Sequence, residues 1–123
     1  MISDKTMNRI IYAVNAEMHS AVEKHGEFNS HHEAFAVLQE ECEEVAEAAA
    51  IFDNLSSAMM YNLWQMVRGD CVPETADEYL PLIQEKAIEL VQEGIQVLAV
   101  CKKWQRLIKK QVADDTEFVR TGG

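Results

Sequence analysis

Only two prolines and five glycines interrupt this chain of 123 residues, and Gly122 and Gly123 are its last two residues. A sheet protein of this size needs turn residues roughly every dozen positions, and they are missing. Helices need none along their length, so the chain is expected to be all-α. Hydrophobic residues make up 48% of it, enough for one packed core and too many for a disordered chain. One domain over residues 1–112 is expected, followed by a polar tail over 113–123 that frays.

Periodicity places the helices. Met7, Ile10, Ile11, Val14, Met18, Ala21 and Val22 recur at three- and four-residue steps, which predicts a first helix over residues 4–24 ended by Gly26. Ser30-His31-His32-Glu33 reads as a capping box, with the serine hydroxyl on an orphan amide and the glutamate reaching back. A second helix over residues 31–52 then carries Phe35, Leu38, Cys42, Val45, Ala49 and Phe52 as its apolar stripe. Asp53-Asn54 is read as a break before a shorter third helix over 55–67. Arg68-Gly69-Asp70 and Pro73 mark a loop, and Thr75-Ala76-Asp77-Glu78 is a second possible capping box. Pro81 suits the first turn of a long last helix over 81–110.

The formal net charge of -10 disfavours nucleic acid polymers and anionic membranes as partners. Lys102, Lys103, Arg106, Lys109 and Lys110 thicken locally, either as a solvated helix end or as a cationic rim for an anionic substrate. Cys42, Cys71 and Cys101 form no CxxC pair, which suggests free thiols in a reduced, cytoplasmic protein. No apolar run approaches a membrane span or a signal peptide. The histidines all fall early in the chain and read as surface or capping residues.

The informative feature is Glu40-Glu41-Cys42-Glu43-Glu44. At about 100° per residue, Glu40, Glu43 and Glu47 fall opposite the apolar stripe, as a solvated face should. Glu41 and Glu44 fall instead in a column with Val37, Ala48 and Ile51, on the flank of that stripe. On the last helix Glu93 lies within an apolar sector formed by Leu90, Val97, Val100 and Trp104, with Gln96 at its margin. Burying a carboxylate is costly unless it is compensated. A shared divalent cation held by oxygen ligands would compensate it; ion pairs to Lys24, Arg68 or Lys86 would do so equally.

Residues Lys24-His25-Gly26, Phe28, Ser30 and the run from His32 through Glu44 resemble the opening motif of MazG-like nucleoside triphosphate pyrophosphohydrolases, a family often borne by phages. Glu93-Gly94-Ile95-Gln96-Val97-Leu98-Ala99-Val100 is similar to the second motif of that family. The resemblance implies a four-helix all-α bundle assembled as an intertwined homodimer or a dimer of dimers. It also implies hydrolysis of an NTP or dNTP to the monophosphate and pyrophosphate with Mg2+, or Mn2+ in its place.

By motif, Glu41, Glu44 and Glu93 are implied as metal ligands, with Gln96 standing where better-known members have aspartate. Glutamine ligates weakly and cannot act as a base. The alternative that follows is a weakened, nucleotide-binding or regulatory oligomer. On the enzymatic reading the candidate catalytic residues are Glu40, Glu41 and Glu44, and Lys24, Lys86 and Lys103 are candidates for binding substrate phosphates. Apolar residues around most of the last helix also suggest a homodimer or homotetramer.

Overall fold

The computed structural model describes residues 1–69 and 74–121, with the side chains of 74, 75 and 118–121 left aside. The described residues form three helices and no strand: α1 (Asp4–His25), α2 (His31–Arg68) and α3 (Glu74–Thr121). The all-α expectation is met. The expectation of four helices is corrected among these residues, because the predicted second and third helices are one.

Asp53 and Asn54 lower helix propensity by less than about 1 kcal/mol each, too little to stop a helix supported by packing on both sides. The hydroxyl of Ser56 folds back onto the Asp53 carbonyl at 3.3 Å. Pro81 lies inside α3 rather than at its start. It removes the amide that would bond the Asp77 carbonyl, and both residues are exposed, so water can serve that acceptor. Thr75 likewise lies within α3. The segment read as a polar tail continues α3 as far as Thr121. Asp70 to Pro73, including Cys71, lie outside the described residues.

The caps of α1 and α2 follow their sequence. Ser3 Oγ accepts from the Thr6 amide at 3.2 Å. Gly26 donates its N–H to the Val22 carbonyl at 2.7 Å, with φ 76° and ψ -178°. That backbone region is nearly closed to residues with a Cβ, so glycine is required there. Ser30 Oγ accepts from the Glu33 amide at 3.1 Å, which forms half of the expected capping box. The other half is replaced: the Glu33 carboxylate takes a hydrogen bond from the Asn29 amide at 3.2 Å.

The chain divides into two compact units, Met1–Cys42 with Ile95–Gly123, and Glu43–Gly94. In the first, Phe28, Ala34 and Leu107 are buried together, with Val37, Val100 and Trp104 packed around them. Ala34 has no exposed surface, so α2 comes close at its first turn. The pairs Glu17–Gln96 and Glu27–Arg106 run α1 and its following turn alongside α3 in the same direction. His31 closes the other end: the Trp104 indole donates to its Nδ1 at 2.9 Å, which leaves the Nε2 hydrogen for Gln111 Oε1 at 2.6 Å. In the second unit, the rest of α2 and the start of α3 form a helical hairpin. Ile51, Met60, Trp64, Val67, Ile88 and Val91 are exposed on it.

Candidate functional site

The inner face of α2 runs through Ala34, Val37, Glu41, Glu44 and Ala48, while Glu40, Glu43 and Glu47 are exposed. The separation of the acids expected from periodicity is present. Of the predicted stripe, Leu38, Val45, Ala49 and Phe52 are half-buried as expected, while Phe35 is 58% exposed and Cys42 is exposed. Glu41 therefore stands near the middle of the inner face, while Glu44 lies toward its edge, as the sequence placed it.

Glu44 meets Glu93 of α3. The carboxyl of Glu93 is held above its ordinary range, first by desolvation, then by a hydrogen bond with Glu44 and by repulsion from its charge. Two ionised carboxylates have only acceptors, so they can share such a bond only through a proton. Glu93 Oε2 is shut away from solvent and finds no hydrogen-bond donor among the described residues. One carboxylate oxygen from each of Glu41, Glu44 and Glu93 lies within 4.8 Å of the other two.

A divalent cation fits this donor set as a proton does, and neutralises more of it. Three hard oxygens suit Mg2+ and leave coordination positions for water or phosphate. The described ion pairs are Lys86–Glu89 at 3.2 Å and Arg106–Glu27, and neither involves Glu44 or Glu93. Salt bridging, the other explanation the sequence left open, does not account for those two acids.

A cavity of about 380 Å³ in the first unit is lined by Glu17, Lys24, Phe28, Glu41, Gln96 and Lys103, among others. Four residues singled out from sequence, Lys24, Glu41, Gln96 and Lys103, thus share one space. Lys103 is only 7% exposed, with its ammonium 4.3 Å from the centroid of the Phe28 ring. A buried cation resting on an aromatic face, without a carboxylate partner among the described ion pairs, suits an anionic guest.

The remaining candidates lie elsewhere. Lys86 is tied to Glu89 in the hairpin. Glu40 is exposed and does not line the cavity. Arg106, Lys109 and Lys110 surround a separate space of about 290 Å³ beside Glu27. There Arg106 is already paired with Glu27, whose carboxyl it holds below the ordinary range.

Gln96 differs most from its expected part. Its amide nitrogen donates to Glu17 Oε1 at 2.9 Å. Glu17 was not among the sequence candidates, although the same reasoning reaches it: it follows Val14 by three residues and precedes Ala21 by four, on the inner face of α1.

Comparison of the chain with protein-family models, with curated proteins and with solved structures finds no match.

Proposed function

We propose that the protein is a Mg2+-dependent nucleoside triphosphate pyrophosphohydrolase that releases pyrophosphate from NTPs or dNTPs. The approach of Glu41, Glu44 and Glu93 carries this reading. Their carboxylates would hold the cation, and the cation would supply charge to neutralise phosphate oxygens. Lys24 and Lys103, which both line the cavity, offer positive charge to the phosphate chain. The MazG-like motifs around Glu41 and Glu93 point to the same chemistry.

An oligomer belongs to this proposal. The hairpin of α2 and α3 leaves Tyr61, Trp64, Leu82 and Val91 at least 42% exposed. A second copy would cover such a surface and complete a four-helix bundle from two hairpins. No helix among the described residues is long and apolar enough to cross a membrane, and a cytoplasmic nucleotide pool is the proposed setting.

Gln96 supports a second reading, in which the fold binds nucleotide without turning it over. A pyrophosphate-release panel over NTPs and dNTPs with Mg2+, repeated on Glu41→Gln, separates the two. Release by the wild type that falls to background in the variant supports the enzyme. Nucleotide binding by calorimetry without release selects the binding protein.

A further inference from the structure

The expected aspartate is missing at position 96, and the structure brings a carboxylate to Gln96 from another helix. Gln96 Nε2 donates to Glu17 Oε1 at 2.9 Å, and this is the only hydrogen bond or ion pair of Glu17 among the described residues. A carboxylate has acceptor sites on both oxygens. One is used to fix its orientation, and the other is left for a guest of the cavity. Glu17 and Glu41 line that cavity together, and so does Lys103, a residue only 7% exposed whose ammonium lies 4.3 Å from the Phe28 ring centroid. Lys24 and Lys103 bring positive charge into the same space as these carboxylates.

The other acids that might activate water are committed or misplaced. Glu40 is exposed and outside the cavity lining. Glu89 is paired with Lys86. Glu33 also lines the cavity and accepts the Asn29 side-chain amide, but it is exposed where Glu17 is half-buried.

Building on the pyrophosphohydrolase reading, we infer that Glu17 is the base that orients and deprotonates the attacking water, and that Gln96 is the residue that positions it. Glu17 Oε2 accepts a hydrogen bond from a water in the cavity. As the water oxygen bonds to the α-phosphorus, one of its protons passes to Glu17. The bond from the α-phosphorus to the bridging oxygen breaks, and its electron pair leaves with pyrophosphate. The second hydrogen stays on the monophosphate, and Glu17 returns its proton to solvent.

Glu17→Gln separates this role from a structural one, because glutamine keeps an oxygen for the Gln96 donor but loses the basicity. The test is steady-state pyrophosphate release with Mg2+ over NTPs and dNTPs, alongside Mn2+ titration by calorimetry, on the full chain. General bases contribute on the order of 100-fold or more. A fall in kcat of that size is expected, with KM and Mn2+ affinity within about twofold of wild type. Glu17→Asp, which keeps a carboxylate, is expected to retain kcat within about tenfold. Wild-type kcat in Glu17→Gln, or a loss of Mn2+ affinity as large as the loss of kcat, overturns the assignment. An active wild type with an unaffected Glu17→Gln removes this inference alone. A wild type that releases no pyrophosphate removes the pyrophosphohydrolase reading and the inference with it.

Discussion

Glu44 and Glu93 meet carboxyl to carboxyl, and Glu93 holds its proton above the ordinary range because burial and its neighbour's charge both oppose ionisation. Such a pair is a liability in a metal-free helical hairpin. Bound to a cation, the same pair becomes useful.

The sign of the pH dependence follows. With its folded pKa raised above the ordinary 4.5, Glu93 binds protons more tightly in the native state than in the unfolded chain. Its contribution to stability is complete below that value and is lost as pH rises through the raised one. Glu93→Gln is therefore expected to melt higher than wild type at neutral pH in EDTA. The difference should shrink on acidification, and Mg2+ should stabilise the wild type more than the variant. Calorimetric melting against pH, with and without Mg2+, checks all three. Glu27, lowered by Arg106, slopes the other way in both proteins and cancels in the comparison.

Lys103 is buried without a carboxylate among the described ion pairs. Lys103→Met fills similar space without the charge, so the melting temperature is expected to hold or rise. Affinity for a nucleoside triphosphate should fall by about tenfold or more, since a charge-assisted contact is removed. Calorimetric titration of a non-hydrolysable triphosphate measures it.

Much of this was legible in the sequence, and the reasons for the rest are physical. Helical periodicity separates Glu41 and Glu44 from Glu40, Glu43 and Glu47, and the structure keeps that separation. The stripe was legible in part, through the half-buried Leu38, Val45, Ala49 and Phe52. Phe35 and Cys42 are apolar but exposed, because the first turns of α2 pack through Ala34 and Val37. Helix length was hidden as well, because Asp53-Asn54 and Pro81 are weak stops once packing supports the helix on either side. Glu17 belongs to no motif, and its importance emerges only when α1 meets Gln96 across the fold.

The turn after α1 offers a test of the fold alone. Gly26 has a positive φ of 76° with extended ψ, a region that costs other residues about 1–3 kcal/mol. A Cβ there meets no atom within 4 Å, so the cost of Gly26→Ala is conformational rather than steric crowding. Urea unfolding should show that loss with an unchanged m-value.

At the start of α2, His31 accepts the Trp104 indole hydrogen on Nδ1 and donates from Nε2 to Gln111. His31→Phe keeps a ring but removes both bonds. The expected loss is about 0.5–1.5 kcal/mol per hydrogen bond at most, because the site is open to water. The tryptophan emission of the folded protein should shift with it, which fluorescence-detected unfolding reads together with stability.

Titration calorimetry of Mn2+ into wild type, Glu44→Gln and Glu93→Gln bears most directly on the proposed metal site. Wild type is expected to bind the ion, and each neutral variant to lose affinity on the order of tenfold or more, since one charged ligand is gone. Equal affinity in all three proteins, or no binding by wild type, would contradict a metal held by these carboxylates.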